Sequence, residues 1–296
     1  MPNPVLSRYL DPELLTRLAD RRFHPRWLVE GNLAGAHKSP LAGFAVEFAG
    51  HREYVPGDDP KHIDWRVYYN RDKYFVKQYE METNLVCHLV LDISGSMRYG
   101  EGAEQKVLAA ARLAVVLGYA ILRHSDKIAF ATIDHEVRSH LPPSDSFSQI
   151  VRMTEMLDDV AANVQTDLGG CLNNLAARFG RREIVIVFSD FFGDLNELEA
   201  AIQRLRYQHH EVILFHIMHH DELHLDLEGL TRFEGLESPQ TVVADPYELR
   251  VRYGAAVHEF TASLRNLAER NAGEYVLVET RRSFAEVLAD YLQRRG

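Results

Sequence analysis

From residue 85 to the C-terminus, short apolar runs alternate with longer segments whose apolar residues recur every three to four positions. That alternation constrains the fold more than any other feature of the chain. Residues 85–91 form a continuous apolar run broken only by His88, as a strand buried on both faces requires. Residues 105–123 are helical in pattern and apolar nearly all round, which predicts a buried helix. Residues 127–134 and 136–141 read as two strands about a tight turn, hence antiparallel. Phe147, Ile150, Val151, Leu157 and Val160 recur at helical spacing, and 168–179 is a second short helix. Residues 183–188, rich in β-branched side chains, read as a strand. Beyond it come a helix over 195–207, a strand over 212–217, a helix over 248–271, a strand over 275–279 and a helix over 283–294. The pattern predicts an α/β fold: a doubly wound, mostly parallel sheet flanked by helices. In such sheets ligands bind at the carboxyl ends of the strands, where the strand order reverses. Asp92 and Asp190 each stand at the carboxyl end of an expected strand.

The first 85 residues read differently. Asp11-Pro12-Glu13 looks like a helix start, with a capping Asp, a Pro suited to the first turn and a Glu suited to the positive end of the dipole. That helix is expected to end near Arg22. Glycines, prolines and short runs such as 44–48 and 74–79 then predict hairpins and loops between 27 and 79. Two domains are expected: 1–85, a helix plus a β-rich segment, and 86–296, the α/β domain. The charge respects the same division. The chain has 33 basic and 43 acidic residues, a net charge of -10, yet 1–85 is balanced at 12 of each. The acidic excess therefore lies in 86–296. It argues against a nucleic-acid partner, whose affinity depends on Lys and Arg displacing counterions, and is compatible with binding a divalent cation. Cys87 and Cys171 form no CxxC pair and are expected as buried free thiols. No signal pattern and no run of about 18 apolar residues is present, so no membrane span and a cytoplasmic location are expected.

Three segments bring oxygen-bearing side chains to strand or helix ends: Asp92-Ile93-Ser94-Gly95-Ser96, Thr166-Asp167-Leu168 and Ser189-Asp190. Hydroxyls and carboxylates without imidazole or thiolate describe a hard site that suits Mg²⁺, with Ca²⁺ or Mn²⁺ as substitutes. Hydroxyl ligands are neutral, so the metal would keep much of its charge and favour a carboxylate from a partner. Gly95 is expected to permit the sharp turn that aims both serines inward. The bland alternative is a strand-end turn in which Asp and Ser cap the next helix. A serine nucleophile is disfavoured, because residues 92–96 read D-I-S-G-S where the nucleophile elbow reads G-x-S-x-G. His209, His210, His216, His219, His220 and His224 lack H-E-x-x-H spacing and are expected as scattered surface or rim histidines, not a zinc site. Pro56-Gly57-Asp58-Asp59 reads as a turn, Arg52, Asp64 and Arg66 as pairing residues, and Tyr68-Tyr69 with Tyr74-Phe75 as packing.

D-x-S-x-S after a buried strand, a distant Thr in a loop and a later strand-final Asp resemble the metal-ion-dependent adhesion site of von Willebrand factor A domains. Asp92, Ser94, Ser96, Thr166 and Asp190 fill its five positions. The resemblance implies direct metal contact from Ser94, Ser96 and Thr166, and contact through water from one or both aspartates. That family often places Gly-Gly before the Thr; here Gly169-Gly170 come after it, and Asp167 is the alternative ligand. The stretch 52–84 resembles the signature of the bacterial family called domain of unknown function 58, through Arg52, Tyr54, Pro56, Gly57, Asp58, Asp59, Ile63, Asp64, Trp65, Val76 and Glu80. That resemblance implies a β-rich segment ahead of a von Willebrand factor A-like domain and a partnership with a MoxR-type AAA-family ATPase. The function expected is a non-enzymatic, Mg²⁺-dependent protein-binding module or adaptor, whose partner supplies an Asp or Glu to the metal. A metal-dependent hydrolase, or a scaffold with a vestigial site, are the alternatives.

Overall fold

Three β-type runs that are neighbours in one sheet, too apolar for any surface position, form the centre of the larger part of the chain. The computed structural model describes residues 8–10, 23, 46–55, 63–71, 73–81, 85–158, 166–237 and 239–295. In β3 (Val86–Asp92), β6 (Ile184–Ser189) and β7 (Glu211–Met218), alternate side chains enter two separate cores. Leu89, Leu91, Ile186, Phe188, Phe215 and Ile217 enter one; Val90, Val185, Val187 and Leu214 enter the other. That is the period of two that places successive side chains on opposite faces of a sheet.

The sheet has six strands in the order β10-β7-β6-β3-β4-β5, completed by β4 (Lys127–Ile133), β5 (Val137–Ser144) and β10 (Glu274–Glu279). All pairings are parallel except β4 with β5. The doubly wound, mostly parallel sheet expected of a von Willebrand factor A-like chain is therefore present. Pro142 and Pro143 lie in the edge strand β5, at the register shift opposite Ile128 and Phe130, where the ladder is interrupted. One face is covered by α2 (Lys106–Leu122), α3 (Ser148–Asp158) and α8 (Phe284–Arg295). The other is covered by α4 (Leu168–Ala176), α5 (Leu195–Tyr207) and α7 (Pro246–Arg270). The Ala- and Leu-rich α2 packs directly on the strands. At Gly118 an added Cβ would meet Leu89 Cδ1 at 3.1 Å and Ile128 Cδ1 at 3.2 Å, so the glycine sets how closely this helix approaches. None of the described helices is long and apolar enough to cross a membrane.

The chain divides into two compact units, Met1–Glu30 with Leu85–Gly296, and Gly31–Asn84. The first thirty residues thus group with the larger unit, whereas the expected boundary set 1–85 apart. Tyr9 and Phe23 explain the difference: both are buried in the core beneath α2 and α8, and Arg112 Nε donates to the Arg8 carbonyl at 2.9 Å. The helix expected from Asp11 to Arg22 and the Pro56–Asp59 turn lie outside the described residues.

In the smaller unit, β1 (Val46–Glu53) pairs antiparallel with β2 (Phe75–Met81), with a bulge between Phe48 and Gly50. Between them the loops expected from the sequence contain a helix, α1 (Trp65–Arg71). Asp64 starts it, accepting from Arg66 N at 3.0 Å and from the His51 ring at 2.9 Å. Tyr68 and Tyr74 stack with centroids 4.7 Å apart, and Trp65 meets Tyr74 edge-on, which is packing of the aromatic run as expected.

Three of the histidines expected at the surface or rim, His210, His216 and His219, are buried. His216 is fully buried against the Tyr275 hydroxyl at 2.7 Å, and burial pulls it down to about 4. His210 is fully buried and its Nδ1 accepts from Glu183 N at 3.2 Å, so the bond needs the neutral ring; burial holds its pKa below the usual value. Between an unfolded pKa of about 6.5 and that lower folded value, the unfolded chain binds a proton the folded chain refuses. Its contribution is complete above the unfolded value and is lost as the pH falls through the folded one. Urea midpoints should therefore drop on acidification from neutrality, and His210→Phe should lessen the drop. Identical pH slopes for the two proteins would refute this.

Candidate metal centre

β3 delivers Asp92 to the end of the sheet, and the chain then turns back on that carboxylate. Asp92 Oδ1 accepts from Ser94 N at 2.9 Å, and the turn continues as a 3-10 helix over Ser96–Arg98. Gly95 adopts φ -59° and ψ -41°, a region open to every residue, so backbone freedom does not explain the glycine as expected. The two hydroxyls converge, with Ser94 Oγ and Ser96 Oγ 3.2 Å apart. From the neighbouring strand β6, Ser189 Oγ donates to Asp92 Oδ2 at 2.6 Å and accepts from Phe191 N at 2.8 Å. β3 and β6 lie where the winding changes direction, which is where the strand-order rule places a ligand.

Asp190 is engaged by a partner from across the site. Its Oδ2 lies 2.7 Å from Lys106 Nζ, and its Oδ1 accepts from Phe192 N at 3.2 Å. Lys106 is the first residue of α2 and is 0 % exposed; its ammonium also lies 2.7 Å from Glu222 Oε1. A lysine at a helix N-terminus opposes the dipole, and a buried ammonium is costly. Both penalties are offset chiefly by the two carboxylates, and the Phe192 ring centroid lies 5.3 Å from the ammonium. Burial alone would lower the Lys106 pKa, yet Asp190 and Glu222 outweigh it and hold it above the usual value. Glu222 lies on α6 (His220–His224), whose start is closed by a capping box: His219 N donates to Glu222 Oε2 at 2.9 Å.

Thr166 precedes α4. Its Oγ1 is buried with no hydrogen-bond partner. It lines, with Asp92, Ser189 and Phe191, a small cavity of ≈ 40 Å³. Asp167 is exposed and occupied as the helix cap, its Oδ1 accepting from Gly170 N at 2.8 Å; its backbone N–H is tied to the Asp134 carbonyl at 3.0 Å. Gly169 stands next in the helix because a Cβ there would meet the Glu197 backbone at 3.1 Å, so α4 and α5 could not pack as they do.

The electrostatics are those of a site short of positive charge. Burial, reinforced by repulsion from Asp190, pushes the Asp92 carboxyl up to about 7 against the hydrogen bonds from Ser189 and Ser94. Asp190 and Glu222 share the ammonium of Lys106, whereas the hydrogen bonds to Asp92 come from the neutral Ser189 hydroxyl and Ser94 N–H. The residues present fit a hard divalent cation on two counts: an orphaned hydroxyl at Thr166 and an uncompensated buried carboxylate at Asp92. One further carboxylate reaches the same turn. Glu237 Oε1 accepts from Ser96 N at 3.1 Å. It sits between β8 (Thr231–Glu234) and β9 (Thr241–Ala244), a hairpin that the sequence pattern did not indicate.

A family model described as protein of unknown function DUF58 matches residues 50–263, well over half the chain. The chain belongs to the DUF58 family. Among relatives of this DUF58 chain, the uncharacterized protein Rv1480 of Mycobacterium tuberculosis is 23% identical over 231 residues, covering 77% of this chain and 72% of that protein. Among solved structures, an aerotolerance-related membrane protein from Bacteroides fragilis superposes with a TM-score of 0.51 at 17% identity, over 71% of this chain and 98% of that one. That is a likeness of fold alone. The SpRpn10 VWA domain aligns at a TM-score of 0.39 and 10% identity, over 69% of this chain and 93% of that one, too distant a likeness to carry weight.

In this DUF58 chain, Asp92, Ser94 and Ser96 gather in one turn, Asp190 faces Asp92 from the next strand end, and Thr166 shares a cavity with Asp92. Nothing in the pattern singled out Lys106, Glu222 or Glu237. Lys106 did leave a trace, as a charged residue opening a helical run in which Arg112 is the one other charge. Glu237 left none, since its contact spans 141 residues of chain.

Proposed function

We propose that this protein is a non-enzymatic, metal-dependent binding module. Ser94, Ser96 and Thr166 would hold Mg²⁺ directly, with Asp92 and Asp190 acting through water. The bound ion would supply a Lewis-acidic position for an aspartate or glutamate of a protein partner. The observation that carries this reading is Glu237: a carboxylate already rests on the Ser96 N–H beside the paired hydroxyls, so an acidic side chain fits this turn. Ser94 and Ser96 orient the guest, Asp92 holds their turn through Ser94 N, and Lys106 fixes the Asp190 carboxylate. The partner class we favour is an ATP-driven ring of the MoxR-type AAA family, a choice that rests on the family resemblance; this chain has no G-x-x-x-x-G-K-[ST] of its own. The cytoplasm is the compartment this reading assumes.

Calorimetric titration of the purified chain with Mg²⁺ and Mn²⁺, and then ATPase pull-down with and without chelator, tests it. Saturable metal binding lost in Ser94→Ala/Ser96→Ala, and chelator-sensitive capture, are the expected results. Glu237→Ala should leave metal affinity near the original and raise partner capture on the order of tenfold, the worth of one charged hydrogen bond removed from competition. Capture indifferent to both chelator and the double alanine would end the proposal. One observation favours a second reading: Lys106 already places a cation on Asp190. A scaffold needing no metal would show no heat and no thermal shift with either ion.

A further inference from the structure

α6 is five residues long and carries a histidine at each end, His220 and His224. Four positions apart on a helix, two side chains share one face. Their rings are 4.6 Å apart between centroids. Beside them stands Glu279, the last residue of β10. β7 and β10 run parallel with Met218 opposite Glu279, so the chain leaving β7 into α6 and the end of β10 meet at one edge of the sheet. Glu279 Oε1 lies 2.7 Å from His220 Nδ1. One ligand atom from each of His220, His224 and Glu279 lies within 4.8 Å of the other two.

We infer that His220, His224 and Glu279 form a binding site for a transition-metal ion of zinc type, separate from the oxygen-lined centre at Asp92. Two imidazoles and one carboxylate are the donor set that zinc, cobalt and nickel prefer and that Mg²⁺ does not. Around a tetrahedral zinc, bonds of about 2.0–2.1 Å set ligand atoms about 3.3 Å apart. The present spacing brackets that value: the His220–Glu279 pair must open slightly and His224, whose ring is exposed, must swing inward. Three protein ligands leave a fourth position for water or a further ligand.

The backbone under the site is already held. His219 Nδ1 accepts from Asp221 N at 3.2 Å and closes the start of α6, and Leu225 ends it in the left-handed conformation, φ 48°. Thr280 N donates to the Met218 carbonyl at 3.0 Å, fixing the chain next to Glu279. Arg281, which would otherwise repel a cation, is turned to Glu104 at 3.0 Å. The site escapes a motif search because the intervening residues read Asp221-Glu222-Leu223, not the Glu-x-x of H-E-x-x-H. Glu222, which stands one position later than that motif's general base, is committed to Lys106. No hydrolytic role is therefore assigned.

The test is a Co²⁺ titration of the purified full-length chain in excess Mg²⁺, read by visible absorption and completed by Zn²⁺ displacement. One equivalent of Co²⁺ with the intense bands of four-coordinate geometry, displaced by Zn²⁺, is expected. His224→Ala and Glu279→Gln should each weaken it by at least about tenfold, and Ser94→Ala/Ser96→Ala should leave it unchanged. His224 is exposed, so its substitution will not unfold the protein. Absence of stoichiometric uptake, or uptake unaltered in both His224→Ala and Glu279→Gln, would overturn the inference.

Discussion

Lys106→Met should cost about 3–5 kcal/mol of folding free energy, the range seen when one partner of a buried ion pair is removed. Asp190 is 1 % exposed and would keep the Phe192 N–H but lose its counter-charge, and Glu222 would lose the same ammonium. The methionine fills the volume of the lysine stem, so packing loss adds little. Urea unfolding monitored by far-ultraviolet circular dichroism reads the effect. Adding Glu222→Gln to the variant should recover part of the loss, because only one unpaired carboxylate then remains. Mg²⁺ should recover part of it as well, by occupying the place the ammonium vacated. A variant as stable as the original would mean that Lys106 contributes nothing net to folding and would remove the electrostatic account of its burial.

Asp92→Asn should have opposite effects on metal binding and on stability. The amide keeps an oxygen to accept from Ser94 N and an N–H₂ that can turn to Ser189 Oγ, so the turn survives. What it removes is a carboxyl that burial and Asp190 push up to about 7. At pH 8, without metal, the variant should be more stable by about 1–2 kcal/mol, as expected where a functional site is built at the expense of stability. Its Mg²⁺ affinity should fall by two orders of magnitude or so, through loss of the charge that binds the ion's water shell. Thermal melts with and without Mg²⁺ separate the two effects: the ion should raise the melting temperature of the original protein and not of the variant. A variant destabilised without metal would show that Asp92 serves chiefly as a structural acceptor.

These two residues differ in how far they can be recognised from the chain itself. Asp92, Ser94 and Ser96 lie within five positions at the end of an apolar run, so the chemistry and its placement at a strand tip are local properties. Lys106 acquires its meaning from Asp190, 84 residues away, and from Glu222, 116 residues away. A lone lysine at the start of a helix carries no sign of that. The histidines show the same limit. Spacing within residues 209–224 suggests scatter, yet folding buries His210 and His216 and brings His220 and His224 to Glu279. The chain does divide beside residue 85, but the grouping of residues 1–30 with the larger unit was not legible for a related reason, since Tyr9 and Phe23 are core residues whose companions lie in α2 and α8.

The amino-acid order alone determined the elements of the central sheet and its covering helices from residue 85 onward, though not α6 or the β8–β9 hairpin, together with the near-parallel sheet they imply and the oxygen-rich turn at the end of β3. Each arises from periodicity and side-chain chemistry within a window of one element. Only the tertiary structure decided which charges meet: Lys106 with Asp190 and Glu222, Glu237 with Ser96, and His220 and His224 with Glu279. The reason is physical. Burying an apolar run is favourable against almost any apolar partner, so its pattern can be read locally. Burying a charge is tolerable only beside a specific counter-charge, and that partner is supplied by whichever distant segment the sheet brings to the same rim.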